Sequence, residues 1–226
     1  MRKYIKNCIA VLACFALIGF GYKATTADAA VPYTDVKPSD WYYGTIDELH
    51  AANIVFGYNK TNQFKPDQTA NRGETAQFIA NALDLDLTNV KDPGFTDVPK
   101  SHPYYAAIAA LANEKIINGV GNNKFDPNGQ LQRVHFAKIL TEAFKLEQSS
   151  VKKSKFADVN RYADINNAPI WITYVETLVQ YEITNGVTAT EFQPSKPVTR
   201  AELATFLKRG IDKSDLEGDF EVIGVE

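Results

Sequence analysis

Apolar residues fall three and four apart in six stretches of the chain, separated by polar stretches rich in glycine and proline. One series begins with Tyr42, Ile46 and Leu49. It recurs as Ile108, Leu111 and Ala112, then as Trp171, Val175, Leu178 and Val179. A second series runs through Phe78, Ile79, Ala82 and Leu83, through Phe136, Ile139, Leu140 and Phe144, and through Leu203, Phe206 and Leu207. That spacing places one apolar stripe along a helix. The pattern therefore predicts three pairs of helices. The first of each pair starts near Asp40, Pro103 or Pro169, and the second at Arg72, Arg133 or Arg200. Between the two helices lie Phe64-Lys65-Pro66, Phe125-Asp126-Pro127 and Phe192-Gln193-Pro194, too short and proline-bearing for a helix and read as extended loops or short strands.

The pairs are copies of one unit. Each opens on an aromatic residue and an Asp-Val pair: Tyr33-Thr34-Asp35-Val36, Phe95-Thr96-Asp97-Val98 and Phe156-Ala157-Asp158-Val159. A glycine follows each first helix (Gly57, Gly119, Gly186), and an arginine stands eight residues after each Phe-x-Pro phenylalanine. Asp35 to Asp97 is 62 positions and Asp97 to Asp158 is 61; Arg72 to Arg133 is 61, but Arg133 to Arg200 is 67. The extra residues fall between Val159 and Trp171, so a loop insertion is expected around Arg161 to Pro169. A unit of this size buries little surface alone. Three can share a core if their second helices pack together, which predicts a mostly α module with approximate threefold internal symmetry.

The chain opens on Arg2, Lys3 and Lys6, an apolar run from Ile9 to Phe20, and Ala27-Asp28-Ala29. That is the layout of a secretory signal cleaved after Ala29. The run is shorter than the roughly 20 residues of a membrane span, and no later stretch is apolar enough to make one. A lipoprotein box at Val11-Leu12-Ala13-Cys14 and an uncleaved anchor are the rival readings; against the first, apolar residues continue past the box through Phe20. The expected division is a signal at 1–29, units at 31–90, 91–152 and 153–211, and an acidic tail at 212–226. Cleavage would remove both cysteines, four basic residues and one acidic residue, taking the formal charge from −3 to −6 over 197 residues. An acidic chain argues against nucleic acid and against general attraction to anionic membranes. Three scattered histidines and no mature cysteine leave no zinc set, no thiol nucleophile and no His-Glu-x-x-His helix. Neither cofactor nor metal is expected.

Thr199-Arg200-Ala201-Glu202 and Asn71-Arg72-Gly73-Glu74 read as capping boxes. Capping does not account for the arginine, since a cation in the first turn opposes the helix dipole. It nevertheless recurs in Gln132-Arg133-Val134-His135, where the capping acid is gone. Arg72, Arg133 and Arg200 thus either fork onto an anionic ligand or pair internally with Asp35, Asp97 and Asp158. Gly57, Gly119 and Gly186 either meet a turn's need for a positive φ or let a ligand approach bare amides. Trp41, Tyr104 and Trp171 are either core or platforms for sugar rings. The histidines fall at non-equivalent places and read as surface residues.

The aromatic-x-Asp-Val openings, the glycine, Phe-x-Pro and Thr199-Arg200-Ala201-Glu202 together resemble a tandem of three S-layer homology domains, from about Val31 to Arg209. The resemblance implies a three-pronged spindle around a central three-helix bundle. It implies a secreted, non-catalytic anchor at the cell wall surface, binding secondary cell wall polysaccharide through grooves between units, the favoured epitope being a sugar with an anionic pyruvate ketal. It further implies that the arginines and glycines line those grooves, with the three aspartates and three aromatic residues as weaker matches. Removal of a groove arginine is then expected to weaken wall binding with little effect on fold. Two other readings stand beside it. One is a structural subunit of a surface array, contacting S-layer proteins through the tail. The other is a wall hydrolase, for which the three units leave little chain.

Overall fold

The computed structural model describes residues 31–58 and 60–220, with side chains as far as Ser214. The signal segment at 1–29 and the last six residues lie outside the described residues. Among the described residues seven α-helices carry the fold: α1 (Tyr43–Ala51), α2 (Arg72–Ala82), α3 (Tyr105–Asn113), α4 (Arg133–Ala143), α5 (Ala157–Ile165), α6 (Ile170–Gln180) and α7 (Arg200–Phe220). Among the described residues, only isolated β-bridges occur besides helices, and no helix is long and apolar enough to cross a membrane.

The helix starts follow their sequences. At α2, Asn71 accepts from the Glu74 amide, and Glu74 reaches back to the Asn71 amide. At α7, Thr199 and Glu202 make the same reciprocal pair, at 3.2 and 2.9 Å. Gln132 caps α4 with no side-chain bond. Each first helix ends in a left-handed residue: Asn53, Lys115 or Glu182.

The two helices of one unit are not each other's main partners. α3 packs on α2, α6 on α4, and α1 on α7. Each first helix thus lies against the second helix of the preceding unit, and the first unit lies against the last. The contact recurs three times and closes on itself. The backbone does the same just ahead of the second helices. The Ala70 amide donates to the Val198 carbonyl (2.9 Å), that of Val198 to Leu131 (2.9 Å), and that of Leu131 to Ala70 (3.3 Å). From this ring the second helices run side by side. α2 touches α7, and Phe136 of α4 stacks on Phe206 of α7 at 6.1 Å. The core between them is apolar, with Ile79, Phe136, Leu140, Leu203 and Leu207 buried. Cyclic closure lets three small units bury one continuous apolar cluster.

Two expectations need correction. The insertion of the third unit is not a loop: α5 spans Ala157–Ile165 and takes in the Asp-Val opening. Val159 and Ala163, four apart, are its buried positions, and it packs on α6. The acidic tail does not begin at 212, because α7 continues unbroken to Phe220.

Candidate functional site

Each opening aspartate is spent on the backbone. Asp35 accepts from the amides of Phe64 and Lys65, both at 2.8 Å, and Asp97 from those of Phe125 and Asp126, both at 2.8 Å. Asp158 accepts from Phe192 and Gln193. These bonds hold a bend whose middle residue is left-handed: Lys65, Asp126 or Gln193. None of the three aspartates forms an ion pair with a signature arginine, so the internal-pair alternative fails for them. Nor do they line the groove described below.

The arginines bind across units. Arg72 Nε donates to the Phe125 carbonyl (2.8 Å), Arg133 Nε to Phe192 (2.8 Å), and Arg200 Nε to Phe64 (2.6 Å). Each guanidinium therefore pins the next unit's Phe-x-Pro bend and lies over that phenylalanine ring, at 4.4, 4.8 and 4.6 Å. Beyond this shared role the three sites diverge. Arg200 Nη1 meets Glu74 at 3.0 Å, and Arg133 Nη1 meets Glu202 at 3.1 Å. Both arginines are buried, at 1% and 2% exposure. In each case the partner acid is the third helical residue of the following unit. The residue in that position facing Arg72 is His135. Arg72 is only half-buried, its Nη2 donates to the Asn118 carbonyl (2.8 Å), and among the described residues its Nη1 has no acceptor. The acid missing from the second unit thus frees the arginine of the first, and Arg133 is not the available one.

Arg72 opens into a cavity of about 360 Å³. Its walls come from α2 (Arg72, Thr75, Ala76), the segment after α3 (Ile117, Asn118, Gly119, Val120, Phe125), α4 (His135, Lys138, Ile139) and Trp171 of α6. The Asn118 side chain satisfies its neighbours with its oxygen towards Lys138 Nζ at 2.9 Å. His135 lies against Trp171 with ring centroids 5.2 Å apart. Burial pulls the His135 imidazole below its ordinary pKa, and Arg72 and Lys138 push the same way. Burial also lowers the Arg72 guanidinium, against the opposing pull of Asp126 and Asp97. The groove is thus positive, half-dry and walled on one side by an indole. A second hollow of about 400 Å³ adjoins it across Ile117, Asn118 and Gly119, and Lys91, Asp92 and Asn113 border it.

The glycines and aromatic residues divide likewise. Only Gly186 has a positive φ (87°); Gly57 and Gly119 do not. Gly119 is required instead by crowding, since a Cβ there would sit 2.5 Å from the Lys124 carbonyl and 2.8 Å from the Phe95 ring. Trp171 faces the Arg72 groove. Tyr104 lies against Gly73, and its phenol is raised by burial and then by Glu74, which places it at the Arg200–Glu74 site. Trp41 is 67% exposed and faces neither. Each first helix closes with a leucine carbonyl (Leu49, Leu111, Leu178) that accepts from the residue five places on. Counting back seven from these leucines pairs Tyr42, not Trp41, with Tyr104 and Trp171. Lys138, His135 and Asn118 were not singled out as site residues from the sequence. The lost acid in Gln132-Arg133-Val134-His135 was the signal pointing to them.

Comparisons with known proteins identify the family of the three units. The S-layer homology domain family matches residues 32–76, 94–137 and 161–204, together more than half of the chain. This chain belongs to the S-layer homology domain family, in three tandem copies. It is 32% identical over 206 residues to an S-layer protein of Bacillus thuringiensis subsp. finitimus, covering 91% of this chain and 24% of the relative. It is also 32% identical over 203 residues to the surface-layer 125 kDa protein of Lysinibacillus sphaericus, covering 85% of this chain and 16% of that protein. An endoglucanase of Bacillus sp. (strain KSM-635) matches at 25% identity over 179 residues, 77% of this chain and 18% of that protein. The chain spans about a quarter or less of each of these relatives.

Proposed function

We propose that this chain is a non-catalytic anchoring module of the cell surface. It holds secondary cell wall polysaccharide, through an anionic group such as a pyruvate ketal, in the groove between its first and second units. The observation that carries this reading is Arg72 Nη1, which has no acceptor among the described residues although its counterparts on Arg133 and Arg200 each hold a carboxylate. Two of the three sites supply their own anion. The third presents the same geometry with the anion missing, so a ligand carboxylate can take the seat that Glu74 and Glu202 fill elsewhere. Lys138 adds a second cation, and Trp171 offers an apolar wall for a sugar ring. The adjoining hollow by Lys91 and Asn113 gives a chain of sugars room to continue.

An anchoring role also fits the relatives. Similar segments occur in proteins named S-layer proteins and in one named an endoglucanase, so the shared part does not track the chemistry. The test is co-sedimentation with purified wall sacculi before and after mild-acid removal of pyruvate ketals. The module should pellet with the untreated walls and stay in solution with the treated ones. Equal retention on both would remove the pyruvate assignment, and clearing of wall turbidity by the chain would replace anchoring with hydrolysis.

A further inference from the structure

His135 stands where the other two sites carry a glutamate, one residue type that can change charge in place of one that holds it. Its ring lies on Trp171, Arg72 faces it from α2, and Lys138 follows one turn later on its own helix. Among the described residues neither ring nitrogen makes a hydrogen bond, so both are available to a molecule in the cavity. Of the other titratable groups on the packed elements, Glu74 of α2 pairs with Arg200 and Glu176 of α6 accepts from the Ser154 hydroxyl. Tyr174 of α6 donates to Glu142 of α4, Tyr162 of α5 donates to Gln132, and Asp97 and Asp126 act on Arg72 from behind the Phe125 bend. The imidazole is therefore surrounded by positive charge with no nearby acid of its own.

We propose that His135 is a ligand-binding residue of this groove: protonated, it donates to the anion held by Arg72, so the anion is taken up with a proton and held more tightly as the medium turns acidic. This rests on the groove reading above. In the empty groove, burial and the two cations disfavour the imidazolium. A bound carboxylate neutralises that field and supplies an acceptor, so the pKa of His135 rises on binding. The sign follows from linkage. A group whose pKa is raised by the ligand strengthens binding as pH falls through the raised value, with full effect below the free value. The ligand carboxylate, with an ordinary pKa of about 3.5, stays ionised throughout. His135 also sets specificity, because a neutral sugar gains nothing from the proton.

The experiment uses the full mature chain and a methyl hexoside carrying a pyruvate ketal. Imidazole C–H shifts are titrated by NMR with and without saturating glycoside, and affinity is measured at about pH 8 and about pH 5. The His135 pKa should rise on saturation, and Kd should fall roughly tenfold between the two pH values, the scale of one charge-assisted hydrogen bond. His135→Asn should bind at both values with a flat profile. Arg72-dependent binding with no pH slope and an unmoved His135 titration would overturn this proposal and leave the groove reading standing. Absence of Arg72-dependent binding at every pH would overturn the groove reading, and this proposal with it.

Discussion

Arg200→Ala separates the structural arginines from the ligand-facing one. The side chain is fully buried and makes three polar contacts at once: Glu74 at 3.0 Å, the Phe64 carbonyl at 2.6 Å and the Phe56 carbonyl at 2.7 Å. The rings of Tyr58, Phe64 and Phe78 surround its guanidinium at 4.9, 4.6 and 5.3 Å. Truncation leaves Glu74 charged at 2% exposure, with only Tyr58 and the Asn71 amide among the described residues to satisfy it. Breaking a buried pair from one side costs about 3–5 kcal/mol, a large share of the roughly 5–15 kcal/mol that holds a domain together. The contact joins the third unit to the first, so its loss weakens the closure of the ring as well as one helix end. Urea unfolding followed by circular dichroism should show that drop. Arg200→Ala combined with Glu74→Gln should recover part of it, because no charge is then stranded. A loss below about 1 kcal/mol, the scale of an exposed pair, would refute this reasoning, as would a double variant no better than the single one. The expectation that a signature arginine can be removed with little effect on fold therefore fails for Arg200, and at Arg72 the cost is limited to its two carbonyl bonds, with no stranded acid.

Two further outcomes follow from the same geometry. Gly119→Ala should cost about 1–3 kcal/mol through overpacking, because the added methyl meets a backbone carbonyl and the Phe95 ring. Thermal unfolding would measure the loss, and wall retention should fall with it. Asp97 is held below its ordinary pKa: burial pushes it up, but the amides of Phe125 and Asp126 outweigh that effect. A depressed carboxylate contributes stability that is present above its unfolded value of about 3.9 and lost as pH falls through the folded one. Asp97→Asn should therefore flatten the decline of stability below about pH 4, as followed by acid titration of the circular dichroism signal.

What the sequence made legible was whatever is local. Periodicity located the paired helices, Asn71/Glu74 and Thr199/Glu202 announced their caps, and equal spacing revealed the three units. Threefold symmetry was expected, but the residue pairs that close the ring were not legible, because they join residues far apart in the chain. Arg200 and Glu74 stand in different units, and no pattern within one unit links them. The missing acid at His135 was visible, but its consequence falls on Arg72, one unit earlier. Trp41 was matched one place out of register because Trp41, Tyr42 and Tyr43 are all aromatic, and only the helix-closing hydrogen bonds decide which ring turns inward. The opening aspartates resembled ligand groups because a carboxylate that caps a bend and one that faces a groove have the same sequence. Their true partners are backbone amides, which every residue but proline possesses. The helix α5 was hidden because Val159 and Ala163 supply only one buried turn.

The most direct test is a calorimetric titration of the three-unit chain with a pyruvate-bearing wall saccharide and with its unmodified counterpart. The account predicts about one site per chain for the pyruvylated form and none for the other. It also predicts that Arg72→Ala weakens binding by the roughly 1.5–3 kcal/mol of a charged hydrogen bond, and that it lowers stability less than Arg200→Ala, because its bonds to the Phe125 and Asn118 carbonyls are lost without stranding a carboxylate. Two or three equivalent sites, or undiminished affinity in Arg72→Ala, would contradict it.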